Sequence, residues 1–131
     1  MLAVDTNVLV RLLVGDDARQ RRQALTRLEQ VLAAGDAVTV SVVVLAELAW
    51  VLAGAYAYTR NQITVALRAL IDTPPFVVSE RAAVVSALAS FEKGNADFAD
   101  YLILQLGRAE GASALLTFDK RFLKSPGCEL P

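Results

Sequence analysis

The sequence has no histidine and only one cysteine among its 131 residues. Without histidine there is no imidazole for a zinc site, a Ser-His-Asp triad or a histidine acid–base pair. The single cysteine, Cys128, can form no internal disulfide, which is typical of a protein in a reducing compartment. The longest charge-free segment, residues 48–59, is too short to cross a bilayer, and Asp5 and Arg11 interrupt the N-terminal apolar run. We therefore expect a cytoplasmic protein with no membrane association.

A strong charge of either sign is also lacking, because the formal net charge is −1. This balance argues against a protein that holds nucleic acid by bulk electrostatics alone, but it allows a nuclease with acidic metal ligands. Hydrophobic residues make up 55% of the sequence, enough for a large core. The length predicts a single domain over residues 1–131.

Short apolar segments alternate with segments of helical periodicity. Strands are predicted at residues 1–4, 37–40, 76–79 and around 113–119, with a weak fifth strand at 128–130. Thr6 or Asn7 is expected to cap the first helix, Gly15 to end it, and Ser41 to cap the helix after the second strand. The alternation predicts an α/β fold, a three-layer sandwich whose central, mainly parallel sheet has four or five strands flanked by helices.

Acidic residues recur at equivalent places in this pattern. Asp5 follows the first strand, Glu47 lies about two turns into the helix after the second strand, and Asp119 follows the fourth strand. Asp97 and Asp100 lie in the first turn of the helix before the fourth strand. Since the carboxyl ends of parallel strands meet at one edge of a sheet, we expect these carboxylates to converge there.

Converging carboxylates repel one another, and a bound cation relieves this repulsion. Mg²⁺, with Mn²⁺ as a substitute, prefers oxygen ligands and keeps open positions for water. One or two such ions can activate water for attack on a phosphodiester without any histidine. The sequence therefore predicts a metal-dependent phosphodiesterase centre.

Each acidic residue also has a purely structural explanation. Asp5, Asp97 and Asp119 can each serve as a helix cap, and Asp97 is the strongest candidate for that role. Glu47 can be a solvated glutamate on its helix. No single carboxylate is specific evidence for a metal site, whereas the complete set is.

Four segments carrying these acids, VDTNVLVRLL, SVVVLAELAWVL, ADFADYLI and LLTFDKRF, resemble PIN domains. Within that family the sequence is similar to the VapC-type toxin ribonucleases of VapBC toxin–antitoxin pairs. The resemblance covers nearly the whole chain in the family's order. It implies a Mg²⁺- or Mn²⁺-dependent endoribonuclease that acts as the toxin of a type II toxin–antitoxin system.

The resemblance also assigns roles to residues. It implies that the catalytic and metal-binding acids are Asp5, Glu47, Asp100 and Asp119, with Asp97 as an accessory ligand. Asn7, Thr117 and Thr6 are expected to orient these ligands or contact phosphate.

Partners implied by the resemblance are an RNA substrate, a cognate VapB-type antitoxin and a second copy of the chain. Trp50 lies in an apolar helix and is a candidate partner contact, although core packing explains it equally well. Lys120 and Arg121 follow Asp119 and are candidate phosphate contacts. Arg11 is expected either to contact RNA or antitoxin, or to pair with an acidic residue.

Two other functions fit parts of the pattern. A phosphatase of the haloacid-dehalogenase type also begins with a strand ending in aspartate, but it needs a second aspartate at the position occupied by Asn7. A non-catalytic binding module would use the acids only as caps. Stabilisation by Mg²⁺ or Mn²⁺ would distinguish a metal site from such a module.

Overall fold

The computed structural model describes all 131 residues and contains five short strands and six α-helices. The chain forms two compact units, Met1–Ser79 and Glu80–Pro131. None of the helices combines the length and apolar character needed to span a membrane.

The first unit contains three strands and four helices. In chain order these are β1 (Leu2–Ala3), α1 (Thr6–Val14), α2 (Ala18–Ala33), β2 (Val38–Val40), α3 (Val42–Tyr56), α4 (Arg60–Asp72) and β3 (Phe76–Val78). The second unit contains α5 (Arg81–Lys93), α6 (Phe98–Ala109), β4 (Leu115–Leu116), a 3₁₀ turn (Phe122–Lys124) and β5 (Cys128–Glu129).

All strand pairs are parallel. The first unit has the order β1-β2-β3, with Leu2 opposite Val38 and Val38 opposite Phe76. In the second unit β4 pairs with β5. The α/β class and the parallel pairing are thus confirmed. Hydrogen bonds join the strands as a set of three and a set of two, not as the single four- or five-stranded sheet predicted, since strands of only two residues form few ladder hydrogen bonds.

Most predicted helix boundaries are observed. Gly15 ends α1 in the left-handed conformation with φ of 70°, which glycine adopts without a steric penalty. The Ser41 hydroxyl caps α3 by accepting the Val44 N–H at 3.2 Å. The predicted cap of α1 is wrong, because Asp5, and not Thr6 or Asn7, occupies that position.

Buried apolar side chains fix the helices that carry the acidic residues. In the first unit, Leu45, Leu48 and Leu52 of α3 are completely buried, and α3 packs against α1 and α4. In the second unit α5 packs against α6, and the rings of Phe91 and Phe98 meet edge to face at 6.1 Å. Phe98 therefore anchors the first turn of α6, which is flanked by Asp97 and contains Asp100.

Candidate active site

Asp5 sits at the start of α1 and is exposed to solvent. Its Oδ1 accepts the Thr6 N–H at 2.7 Å and so caps the helix. The side chain of Thr6 is buried, and its Oγ1 has no hydrogen-bond partner. A buried hydroxyl without a hydrogen-bond partner typically lowers the free energy of unfolding by about 1–3 kcal/mol. An apolar side chain at position 6 would avoid this cost, so packing alone does not explain the threonine.

Asp5 borders a cleft in the first unit. The cleft has a volume of about 590 Å³ and is lined by residues of β1, α1 and α2. Asp5, Asn7 and Arg11 lie on its rim, and the buried side chains of Val31 and Val38 form part of its floor. Asp5 and Asn7 therefore line the same cleft.

Arg11 is engaged in an ion pair, the second of the two alternatives predicted for it. Its Nη1 lies 3.0 Å from both carboxylate oxygens of Asp16, and its Nε donates to Gln20 Oε1 at 2.6 Å. The Tyr56 hydroxyl donates to Asp16 Oδ2 at 2.8 Å, and this hydrogen bond, followed by those from Arg11, lowers the pKa of Asp16. Sequence analysis missed Asp16 and Tyr56, which are 40 residues apart and carry no joint pattern.

Glu47 is exposed on α3 and does not line the Asp5 cleft. Trp50 is one helical turn further along the same face and is 78% exposed, and Val43, one turn before Glu47, is 71% exposed. Glu47 thus projects from a helix face whose neighbouring side chains are apolar and uncovered.

Asp97 and Asp100 form a capping box at the start of α6. The Asp97 N–H donates to Asp100 Oδ2 at 3.1 Å. The expected capping role of Asp97 is therefore observed, and Asp100 contributes to the same cap with one of its two oxygens.

The carboxyl group of Asp100 is the most perturbed acid of the second unit. Partial burial raises its pKa above the ordinary value, and the negative charges of Asp97 and Asp119 raise it further. The hydrogen bond from the Asp97 backbone and the positive charge of Arg121 act in the opposite direction without cancelling the shift. Asp97, Asp100 and Asp119 are thus close enough for their charges to interact.

Asp119 is held by the backbone that follows it. Its Oδ1 accepts the Arg121 N–H at 2.9 Å and the Phe122 N–H at 3.3 Å, and its own N–H donates to Thr117 Oγ1 at 3.0 Å. Arg121 Nε lies 4.0 Å from Asp119 Oδ1. Lys120 is exposed. Thr117 therefore orients the backbone of Asp119, and Arg121 supplies a nearby positive charge.

The predicted site residues are found in both units. The first contains Asp5, Thr6, Asn7, Arg11, Glu47 and Trp50, and the second contains Asp97, Asp100, Thr117, Asp119, Lys120 and Arg121. Neither unit contains a group of three or more carboxylate or thiol side chains that are close enough together to hold a metal ion. Asp97, Asp100 and Asp119 are electrostatic neighbours that do not by themselves form a ligand set.

Parallel strands alternating with helices place the chain in the α/β class of proteins. The chain matches the PIN domain family over residues 2–127 and belongs to it. This confirms the family resemblance seen in the sequence. PIN domains are generally nucleases, and they typically use divalent metal ions. Comparisons with curated proteins and with solved structures gave no significant match.

Proposed function

We propose that this PIN domain is a Mg²⁺- or Mn²⁺-dependent endoribonuclease and the toxin of a type II toxin–antitoxin pair. The proposed catalytic and metal-binding residues are Asp5, Glu47, Asp100 and Asp119, with Asp97 as an accessory ligand. Membership of the PIN family supports the nuclease assignment and favours it over a haloacid-dehalogenase-type phosphatase.

The observation that carries the proposal is the match to the PIN family over residues 2–127, and the raised pKa of Asp100 supports it. A carboxyl group whose charged form is disfavoured by burial and by Asp97 and Asp119 is one that a cation would stabilise. The available donors fit Mg²⁺ or Mn²⁺, because they are carboxylate oxygens and the chain has no histidine.

The hydrogen bonds of the second unit leave ligand atoms available. Asp100 uses Oδ2 and Asp119 uses Oδ1 to accept backbone N–H groups. Their other carboxylate oxygens accept no hydrogen bond from the chain and are free to act as ligands. Backbone hydrogen bonds therefore fix the orientation of each carboxylate while sparing one oxygen of each.

A divalent ion, when bound, supplies a Lewis acid that polarises the phosphodiester and lowers the pKa of the attacking water. The chain's part is to hold the carboxylates in place, through the Asp97–Asp100 capping box and through Thr117 and the backbone N–H groups around Asp119. Arg121, beside Asp119, places a positive charge where it can contact a phosphate of the bound strand.

Cleavage of total RNA tests the proposal. We expect new RNA ends in Mn²⁺ or Mg²⁺, none with a chelator, and products with 5′-phosphate and 3′-hydroxyl groups because water is the nucleophile. Asp5→Asn and Asp100→Asn should abolish cleavage, whereas Glu110→Gln, which removes an exposed charge at the end of α6, should retain it.

Three results would contradict this function. Wild-type cleavage by Asp5→Asn or Asp100→Asn would show that the site assignment is wrong. Resistance of an RNA that still binds but carries a single 2′-deoxyribose at the cut would show that the 2′-hydroxyl, and not water, attacks. Absence of both cleavage and stabilisation by metal would instead indicate a non-catalytic binding module.

The proposal includes two protein partners, a VapB-type antitoxin and a second copy of the chain. The support for a protein partner is the exposed apolar face of α3, where Val43 and Trp50 are 71% and 78% exposed. Exposed apolar side chains that are grouped on one helix face, unlike scattered ones, are typical of protein interaction sites.

A further inference from the structure

The charged side chains that line a recess in the second unit are all positive. It has a volume of about 380 Å³ and lies among the end of α5, the turn after it, α6 and the 3₁₀ turn. Lys93, Arg108, Arg121 and Lys124 line it, which are four of the six basic residues of this unit, and none of the unit's seven acidic residues does so. Since the unit as a whole is nearly neutral, this separation of charge is local.

The positive charges of the recess are largely uncompensated. Lys93 and Lys124 form no ion pair. Arg108 donates from Nη2 to the neutral Pro126 carbonyl at 2.8 Å, which positions the guanidinium without cancelling its charge. Arg121 approaches the Asp119 carboxylate only to 4.0 Å. An anion entering the recess would therefore meet three cations without an ion-pair partner, Lys93, Arg108 and Lys124, and a fourth, Arg121, that is only loosely paired.

The floor of the recess is rigid. The buried ring of Tyr101 meets Phe122 edge to face at 5.6 Å, and its hydroxyl accepts the Ala96 N–H at 3.3 Å. Gly94 packs so closely on this hydroxyl that a Cβ at position 94 would overlap it. The recess is thus already formed in the free protein, so binding requires little reorganisation.

Helix dipoles alone do not explain this arrangement. Lys93, Arg108 and Lys124 each lie in the last turn of a helix, where a positive charge is favourable. The dipole effect does not, however, require these charges to point toward the same place. It also does not explain Arg121, which precedes the 3₁₀ turn, or the absence of acidic residues from the lining of the recess.

We propose that this recess binds a phosphate group of the RNA substrate next to the linkage that is cut. The inference rests on the proposed ribonuclease function. Arg121 connects the two sites, because it lines the recess and lies beside Asp119. A strand whose scissile phosphate lies at the acidic residues would then place a neighbouring phosphate among the four cations.

The chemistry of the other lining groups agrees with an RNA strand. Asn95 and Gln105 add side-chain amides that can bond to ribose or base edges. The volume is at the small end of the range for ligand pockets, which fits one phosphate with part of its nucleotide. A larger partner, such as a protein segment, would not be confined to this recess.

RNA binding without cleavage tests the proposal. Affinity of a short fluorescent single-stranded RNA is measured by anisotropy in EDTA over a range of salt concentrations. In Lys93→Gln/Lys124→Gln the contact to one phosphate is lost, so the log–log salt slope should fall in magnitude by about 0.7. The affinity should fall roughly 5-fold at about 0.1 M salt and approach the wild-type value near 1 M.

The matched control is Arg19→Gln/Arg22→Gln, which removes two exposed charges from α2 in the first unit. It should change the slope much less. Equal losses in both double variants would mean diffuse electrostatic attraction and would overturn the proposal, as would an unchanged slope in Lys93→Gln/Lys124→Gln. A fall in melting temperature with unchanged RNA affinity would assign the lysines to helix stabilisation instead.

Cleavage kinetics separate this inference from the proposed function. With a defined RNA cut by the wild type, Lys93→Gln/Lys124→Gln should raise KM and leave kcat nearly unchanged, whereas loss of an acidic ligand lowers kcat. If wild-type protein binds RNA through the recess but never cuts it, the ribonuclease function fails and the phosphate site stands. Saturable binding of inorganic phosphate without any effect of the lysines on RNA affinity would show an anion site unrelated to RNA.

Discussion

Individual aspartates of the candidate site accept backbone N–H groups and are also the proposed metal ligands. Asp5, Asp100 and Asp119 each accept backbone N–H groups through one carboxylate oxygen, at distances between 2.7 and 3.3 Å. A cap and a metal ligand are therefore not alternatives at these positions, because a carboxylate has a second oxygen and additional lone pairs. Capping restricts the rotamer of the side chain, which lowers the entropy lost when a ligand binds.

The raised pKa of Asp100 makes the stability of the metal-free protein depend on pH. The folded protein holds this proton to higher pH than the unfolded chain, whose pKa is near the ordinary 3.8, so charging the group destabilises the fold. The protonated Asp100 carboxyl therefore contributes fully to the free energy of unfolding below pH 3.8. This contribution is lost as the pH rises through the raised pKa of the folded state. Asp100→Asn keeps an oxygen for the Asp97 N–H and removes the charge.

We therefore expect metal-free Asp100→Asn to melt a few degrees above the wild type at about pH 7 and at the same temperature near pH 3. Thermal unfolding across this range measures the difference. Added Mg²⁺ or Mn²⁺ should raise the melting temperature of the wild type and not that of the variant. A variant less stable than the wild type at neutral pH would show that the charged form is favourable in the fold.

At the scale of single elements, the turn between α5 and α6 depends on one close approach. Gly94 has a φ of −99°, which any residue can adopt, so conformational freedom is not the reason for glycine. The reason is space, because a Cβ would overlap the Tyr101 hydroxyl and lie 2.9 Å from the Ser90 carbonyl oxygen. The turn, the floor of the basic recess and the start of α6 are coupled through this contact.

Gly94→Ala should consequently destabilise the protein by about 1–3 kcal/mol, as expected for overpacking. The matched control is Gly107→Ala within α6, where a Cβ would make an ordinary contact of 3.8 Å with Ala112. That change should be neutral or stabilising by up to about 1 kcal/mol, since alanine favours a helix. Denaturant unfolding of both variants provides the comparison, and equal stability would show that Tyr101 can move aside at no cost.

The elements themselves were largely predictable from the sequence because their signals are local. Apolar periodicity predicted the alternation of strands with helices, and Gly15 and Ser41 marked helix ends correctly. The cap of α1 was assigned wrongly, since Asp5 stands next to two other good capping residues and sequence does not rank them. The pairing of β4 with β5 could not be read from strands of two residues each.

Side chains that meet from distant parts of the chain were not predictable. The contact of Arg11 with Asp16 and Tyr56, and the recess shared by Lys93 and Arg108, depend on how helices pack and leave no periodic signal. The acidic residues could be proposed as a set because the rule for carboxyl ends of parallel strands links sequence position to place in a sheet. Among them, the interaction of Asp97, Asp100 and Asp119 is observed.

At the scale of the whole molecule, charge is distributed unevenly even though the net charge is only −1. Four of the six cations of the second unit line one recess that contains no acid, and Arg121 of this recess also lies beside Asp119. The first unit presents instead the exposed apolar face of α3 around Val43 and Trp50. The surfaces proposed for a polyanion and for a protein partner therefore lie in different units.

Trp50 can report on the proposed protein-binding face of α3, because it is the only tryptophan and is 78% exposed. The dilute protein should show the red-shifted, iodide-quenchable emission of a tryptophan in water. If copies associate through α3, emission should shift to the blue with rising concentration, and Trp50→Ser should weaken association by about 2 kcal/mol or more, roughly 30-fold. Val65→Ser, which removes an exposed apolar side chain from α4, is the matched control and should leave association unchanged. A dimer seen by sedimentation while Trp50 remains fully quenchable would mean that copies meet elsewhere, which would leave this face of α3 available to the antitoxin.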